Sequence, residues 1–300
     1  MSPPINNMMV ELLRSGKATG IAGLFTLGVV SDVFSELDFV SGRMDPITGE
    51  RMEVTRRSVW SWVHEAADPG GVEVCWGRLG AELDKLPMRA RAERLQTALG
   101  MAVKGALIGQ QVAPLGVTWE CMLGYTLDGG LWSRTAMLSV LETFCRSHAS
   151  QSMLVLQGMN DFGHVVRPDL VAWLNQPSSL MDVALEQGQP DLIEFLAHAT
   201  DLVGKKAQWQ ATAERSLVKL LSLGQAGFEA ERERGSNAVA AFAALLAFAP
   251  HVEVPVSAAL TEAYATAQSS WTAIPSLLRE QILSASLPQA PAPKSSRLRF

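Results

Sequence analysis

The chain has 300 residues, of which 48% are hydrophobic and 18% are charged. This length suffices for one large domain or two ordinary ones, and the composition excludes a chain that is disordered throughout. Acidic residues outnumber basic residues by 30 to 25, which gives a net charge of −5. Because phosphate binding requires a concentrated basic field, nucleic acid is not expected as a partner.

The longest apolar runs, residues 20–30 and 238–249, are shorter than the roughly 20 residues that a membrane-spanning helix needs, so no membrane span is predicted. No basic segment precedes an apolar stretch near residue 1, and no cleavable signal peptide is predicted. The cysteines Cys75, Cys121 and Cys145 are too few and too scattered for a disulfide framework. We therefore expect a cytoplasmic protein with reduced thiols.

Helical periodicity dominates residues 1–130. Apolar residues at helical spacing predict helices over 5–16, 31–40, 55–67, 72–86 and 88–112. In the helix over 31–40 the shared apolar face consists of Val33, Phe34 and Leu37. In the helix over 88–112 it consists of Leu95, Leu99, Ala102, Val103 and Ala106.

One segment in this part departs from the helical pattern. Asp45-Pro46 and Thr48-Gly49 lie between the similar flanks Arg43-Met44 and Arg51-Met52. Proline presets one turn position and glycine tolerates a positive φ, so the pattern predicts a short β-hairpin near 43–54 that projects from the helices.

The pattern changes again after residue 116. Residues 117–127 fit either a helix or a buried strand, 134–149 predict a strong helix, and 154–168 are typical of loops. Helices are predicted from about 201 to 286, and residues 288–300, with three prolines and three basic residues, predict a disordered basic tail. We expect an all-α fold with a helical part (1–130), stacked antiparallel helix pairs (131–287) and this tail.

The segment 178–199 contains two short amphipathic helices joined at Gly188. The first has Leu180, Met181, Ala184 and Leu185 on one face, and the second begins at Pro190, where a missing N–H costs little. A turn this short makes the helices antiparallel, and so small a pair must pack on neighbours to bury both apolar faces.

This segment resembles an ankyrin repeat, whose pattern is T-P-L-H-x-A…G-H-x-E-[IV]-V-x-L-L. The resemblance departs from the pattern at Leu180, Asp182 and Pro190, and the stretch 167–174 echoes 189–196 at an offset shorter than an ankyrin period. It implies an ankyrin-like or α-solenoid stack that presents a surface to another protein, and an irregular helical domain with one such pair remains the alternative. The matching residues are Ser179, Met181, Ala184, Gly188, Asp191, Leu192, Ile193, Phe195 and Leu196.

The preferred hypothesis for function is a non-enzymatic scaffold that binds another protein. In stacked helix pairs, binding falls on turns and on exposed positions of the first helix, which here are Asp182, Gln187 and Gln189. Trp60 and Trp62 lie two residues apart, roughly 200° around a helix, so they cannot both face the same core. We expect one of the two to be exposed and to anchor the partner.

Two alternatives remain open. A helical hydrolase would draw on the scattered groups His64, Glu65, Asp68 and His148, although Asp68 stands where a zinc-protease helix has its second histidine. Cys145 and His148 share a helix face but are too few for a metal site, so no metal or cofactor is predicted. An effector delivered into another cell, secreted without a cleavable signal peptide, is suggested by the basic tail.

Overall fold

The computed structural model describes residues 3–41, 53–125, 131–176, 178–200, 206–233, 238–248, 257–276 and 278–279. Helices make up nearly all of the regular secondary structure in these ranges, which also contain a single two-stranded sheet. The all-α class expected from the sequence is confirmed. The predicted tail, residues 288–300, lies outside the described residues.

The chain divides into two compact units, Met1–Asp169 (unit 1) and Leu170–Phe300 (unit 2). Unit 1 contains α1 (Pro3–Arg14), α2 (Ala18–Thr26), β1 (Glu36–Ser41), β2 (Glu53–Ser58), α3 (Val59–Val63), α4 (Gly70–Leu83), α5 (Met88–Gly109), α6 (Ala113–Leu123), α7 (Arg134–Ser147) and α8 (Ala149–Asp161). The division falls within α9 (Arg167–Leu174), later than the boundary near residue 130 that the sequence suggested, because α7 and α8 pack against α5.

Helix α5 is the centre of unit 1, where it contacts α3, α6, α7 and α8. Its predicted apolar face is confirmed, because all five residues of that face are fully buried. Burial on this scale, at roughly 25 cal/mol per Å² of apolar surface, is the main stabilising contribution to a helix of this length.

The two strands replace helices that the sequence predicted. β1 and β2 pair antiparallel, with Glu36 opposite Ser58 and Ser41 opposite Glu53, so the predicted helices over 31–40 and from Thr55 to Ser58 are wrong. Over so few residues, helical spacing and strand alternation fit the same apolar positions, and the pairing partner decides between them. The strands flank the predicted hairpin near 43–54, of which residues 43–52 lie outside the described chain.

Two later segments are also helical. The ambiguous residues 117–127 fall largely in α6, and the first half of the predicted loop over 154–168 belongs to α8. Val155, Leu156 and Met159 are buried in α8, and Gly158 lies so close to the side chain of Val112 that a Cβ atom would not fit. Gly158, within the segment predicted as a loop, is therefore a close-packing position of a helix.

All of the regular secondary structure described in unit 2 is helical. After α9 the unit contains α10 (Leu180–Glu186), α11 (Pro190–Thr200), α12 (Lys206–Ser222), α13 (Gly224–Glu233), α14 (Ala238–Phe248) and α15 (Ala258–Ser270). Helix α14 contacts α10, α11, α12 and α13, and it buries Ala241, Phe242 and Leu245. In a linear repeat each unit contacts only its neighbours, so regular stacking of helix pairs is not confirmed.

No helix within the described ranges combines the length and the apolar character that crossing a bilayer requires.

Candidate functional site

The α10–α11 hairpin forms as its sequence predicts. The Ser179 hydroxyl accepts a hydrogen bond from the Asp182 N–H at 3.1 Å, and the Asp182 carboxylate accepts one from the Ser179 N–H at 3.1 Å. This reciprocal capping box fixes the start of α10. Gly188 takes a positive φ of 65° at the turn, and Pro190 is the first residue of α11.

A cleft of about 320 Å³ lies against α10 and α12 in unit 2. Its floor includes Leu185 and Leu220, which are almost fully buried, and its rim includes Leu223, which is 38% exposed. We call this pocket the α10–α12 cleft. Its lining residues are Ser178, Asp182, Leu185, Glu186, Arg215, Ser216, Lys219, Leu220, Leu223, Glu231 and Ala238.

Two ion pairs connect α10 to α12 along the cleft. Arg215 donates to both carboxylate oxygens of Asp182 at 2.9 Å, and Lys219 lies 3.2 Å from Glu186. Within each helix the charged residues are one turn apart, so the two pairs lie side by side. The Arg215, Lys219 and Glu186 side chains are more than half exposed, and ion pairs at such sites contribute little stability and exchange partners readily.

The predicted binding residues of α10 and its turn have different surroundings. Asp182 lines the cleft, but its side chain is only 14% exposed because Ser179 and Arg215 both hold it. Gln187 is exposed at the end of α10, and the Gln189 side-chain amide donates to the Gln187 carbonyl at 3.2 Å. Neither glutamine belongs to the lining of the cleft.

The expectation that Trp60 or Trp62 is exposed is wrong. Both side chains are buried, at 0% and 2% exposure, although they do face different directions. The Trp60 indole donates to the Ala98 carbonyl of α5 at 2.8 Å, whereas Trp62 faces the sheet, with its ring 6.0 Å from that of Phe39. Helix α3 lies between two layers, so both of its faces are covered and neither tryptophan can anchor a partner.

His64, the first of the scattered enzyme candidates, is fully buried. Its Nδ1 lies 2.6 Å from the Trp60 carbonyl, and its Nε2 lies 2.6 Å from the Thr118 hydroxyl. Burial lowers the pKa of His64 to about 4, so the ring is neutral at pH 7. A hydroxyl and an imidazole in contact resemble a nucleophile and its base, but both side chains have 0% exposure and cannot reach a substrate.

The other candidate groups have separate partners. Glu65 forms ion pairs with Arg57 and Arg14, and burial raises its pKa against the opposing effect of these two cations. Asp68 accepts from the Gly70 N–H at 2.9 Å, at the start of α4. The exposed ring of His148 stacks on Phe144 with centroids 4.6 Å apart. The structure therefore assembles no acid–base pair from the predicted groups.

The cysteines are not activated. Burial raises the pKa of Cys75 to about 12, and burial also raises the pKa values of Cys145 and Cys121. Within the described ranges, no group of three or more His, Cys, Asp or Glu side chains is placed to hold a metal ion.

Unit 1 has a wider groove of about 610 Å³ between α5 and α7. Its lining is formed largely by small residues such as Gly100, Ala136 and Ser139, and Lys104 is its only acidic or basic side chain other than His148. The α10–α12 cleft carries more charged groups, of both signs, and is the stronger candidate for a specific site.

Sequence reasoning missed the α12 half of the cleft. Arg215 and Lys219 are four residues apart, as are Asp182 and Glu186, and two helices with this matching of charges can pair side by side. That match was a detectable signal in the sequence. The chain matches no protein-family model, and comparison with curated proteins and with solved structures found no similar protein.

Proposed function

We propose that this protein is a non-enzymatic interaction protein that binds a segment of another protein in the α10–α12 cleft. The observation that carries the proposal is the combination, in one cleft, of an apolar floor with exposed charges of both signs. Interfaces gain affinity from a buried apolar anchor and specificity from the charged groups around it.

The size of the cleft indicates what it can hold. Its volume of about 320 Å³ is at the lower end of the range for ligand pockets, and suits one large side chain of a bound segment. Leu185, Leu220 and Leu223 provide the apolar contact for that side chain. Arg215 and Lys219 then favour an acidic neighbour in the segment, and Glu186 favours a basic one.

The exposed ion pairs lower the cost of binding. In the unbound protein Lys219 and Glu186 neutralise each other in contact with water, so an incoming charge replaces a weak interaction. Arg215 differs, because it holds the capping carboxylate of Asp182 and must keep that contact for α10 to remain capped. We therefore expect Lys219 and Glu186 to exchange partners on binding and Arg215 to stay in place.

The test introduces a charge at the rim of the cleft. Leu223→Glu adds a carboxylate at a side chain that is 38% exposed, and Leu154→Glu is its matched control on α8 of unit 1, at 36% exposure. Proteins captured by the tagged wild-type chain are identified, and each is then produced and titrated by calorimetry against wild type and both variants. We expect L223E to weaken binding at least about tenfold, which is about 1.4 kcal/mol, and L154E to leave it unchanged.

Equal binding of a titrated partner by wild type and L223E contradicts the proposal, provided that circular dichroism shows the variant to be folded. Lys219→Glu gives an independent check, because it reverses a rim charge and leaves the apolar floor intact. Weaker binding by K219E, with a lower salt dependence than that of the wild type, would identify an acidic residue of the partner at that position.

A further inference from the structure

The outer edge of β1 is closed by a side chain. The Asn7 amide of α1 donates to the Val40 carbonyl at 2.8 Å, and its oxygen accepts from the Val40 N–H at 2.8 Å. Asn7 thus makes the two hydrogen bonds that a neighbouring strand would make at this position. Helix α1 packs along β1, so no further strand can join the sheet on this side.

The contact of Asn7 also reveals the direction of the backbone groups on β2. Val40 directs its N–H and C=O away from β2, so Val40 and Val54 form a non-hydrogen-bonded pair of the antiparallel ladder. Val54 must therefore direct its own N–H and C=O to the outer edge of β2. Alternation along the strand gives Arg56, which lies opposite Asp38, the same orientation.

The described residues leave the outer edge of β2 open. No hydrogen bond to the backbone N–H or C=O of Val54 or Arg56 is present in the described chain. Val54 is 55% exposed, and the Arg56 side chain is 63% exposed while it pairs with Asp38 at 2.6 Å. An exposed edge with unpaired backbone groups is a template for another strand.

The sequence of β2 complements itself when it is paired antiparallel. If Val54 lies opposite Arg56 of a second copy, Thr55 lies opposite Thr55, and Glu53 lies opposite Arg57, which keeps its ion pair with Glu65 and adds a second carboxylate. Opposite charges and threonine pairs at facing positions stabilise antiparallel strands. The register that places Arg56 opposite Arg56 brings like charges together. The register that places Val54 opposite Val54 puts Glu53 opposite Thr55 and forms no ion pair there, so the charges favour the first alignment.

We propose that β2 is a self-association edge, at which two copies of this chain pair their β2 strands around a two-fold axis into a four-stranded sheet. The Arg56 N–H of each copy donates to the Val54 carbonyl of the other, and the Val54 N–H donates to the Arg56 carbonyl. This surface belongs to unit 1 and is independent of the cleft in unit 2, so either proposal can fail without the other.

The first experiment removes one backbone donor from the edge. Arg56→Pro deletes the outward N–H but leaves the ladder to β1 intact, because proline is tolerated where the N–H faces solvent. Arg56→Ala is the matched control, since it loses the same side chain and keeps the N–H. Sedimentation velocity over a concentration series compares the full-length wild type with both variants, and circular dichroism verifies their folding.

We expect the wild type and R56A to form a concentration-dependent dimer. R56P loses two N–H···O bonds per dimer, and its dissociation constant should rise about tenfold or more. A wild type that remains monomeric at every concentration overturns the proposal. So does an R56P variant that dimerises as tightly as R56A, because the dimer would then use another surface.

The second experiment tests the register. In a non-hydrogen-bonded antiparallel pair the two Cα atoms are about 4.5 Å apart, which is within the range of a disulfide. Thr55→Cys, in a chain that also carries Cys121→Ser to remove the partly exposed native thiol, should form a disulfide-linked dimer under mild oxidation. Failure of this variant to crosslink, under conditions where the wild type dimerises, rejects the Thr55–Thr55 alignment and with it the proposed pairing.

Discussion

At the scale of single residues, protonation of His64 makes the free energy of unfolding depend on pH. The neutral ring donates from one nitrogen to the Trp60 carbonyl and accepts at the other from the Thr118 hydroxyl. Its pKa is about 4 in the folded chain and near 6.5 when unfolded, so the unfolded chain binds the proton more readily. The free energy of unfolding therefore falls as the pH drops from about 6.5 to about 4, and this group contributes no pH dependence above that window.

We predict that replacing this histidine flattens the acid limb of the stability curve. At about 1.4 kcal/mol per pH unit, His64 accounts for a loss of about 3 kcal/mol across the window. Urea unfolding of His64→Gln at several pH values should show lower stability at pH 7 and a shallower slope below pH 6.5. His198→Gln, at a side chain that is 70% exposed, is the control for the loss of an imidazole.

A slope in H64Q as steep as that of the wild type would mean that another group dominates. His164 is the principal alternative, because burial lowers its pKa as well and gives the same sign. The corresponding His164→Gln variant separates the two contributions.

Gln110 is a second residue that affects stability, because its backbone conformation is unfavourable for a residue other than glycine. It ends α5 with a φ of 53°, the only positive φ of a non-glycine residue within the described ranges. The Gln111 N–H donates to the Ala106 carbonyl at 2.9 Å, as in a helix end that usually carries glycine. We predict that Gln110→Gly raises the free energy of unfolding by about 1 kcal/mol, measured in urea, and that Gln111→Gly brings no gain.

At the scale of elements, glycines set the approach of α5 to α3. A Cβ atom on Gly105 would overlap the Ser61 carbonyl oxygen, and one on Gly109 would lie 2.5 Å from the Glu65 Cα. Backbones this close leave no room for a methyl group. The sequence displays these glycines only as weak helix formers, although they allow α5 to contact α3 and the turn after it.

We predict opposite effects for two substitutions on α5. Gly105→Ala forces α3 away from α5 and should lower the free energy of unfolding by about 1–3 kcal/mol. Gly100→Ala meets no atom within 4 Å and should raise it by about 0.5–1 kcal/mol through helix propensity. Urea unfolding of the two variants measures both signs, and a neutral G105A would show that the helices separate easily.

The start of α10 is a second element whose stability can be tested. Ser179 is fully buried, and its hydroxyl takes part in the capping box with Asp182. We predict that Ser179→Ala lowers the free energy of unfolding by about 1–2 kcal/mol, whereas Ser178→Ala, at an exposed neighbour without a capping bond, has little effect. Thermal unfolding of the two variants makes the comparison, and equal transitions would contradict it.

The sequence predicted elements well where apolar residues recur at helical spacing along one face. The α5 face and the α10–α11 hairpin follow from apolar spacing, Ser179, Gly188 and Pro190. The prediction of exposure failed at Trp60 and Trp62, because α3 is covered on both faces. A helical wheel shows which residues share a face, but it does not show how many faces are covered. The sequence prediction failed again at β1, because a strand six residues long is defined by its partner β2.

At the scale of the whole molecule, the sequence predicted the α10 side of the candidate site and missed the α12 side. Asp182 was found from the α10 sequence, but which helix packs beside α10 is a tertiary fact, and Arg215 and Lys219 come from α12. Similarly, the division after Asp169 depends on where α7 and α8 pack and leaves no composition change in the chain. Local sequence patterns therefore predicted many of the helices, whereas the arrangement of the helices depends on tertiary packing.

The central position of α14 has a consequence for synthesis of the protein. Helices α10, α11 and α12 are synthesised before residues 238–248, yet each of them packs against that later helix. Until α14 has been made, the apolar face of α11 that includes Leu192 and Ile193 lacks one of the helices that cover it in the native structure. Unit 2 should thus complete its folding only late in translation, and nascent chains stalled before residue 238 should be natural clients of chaperones.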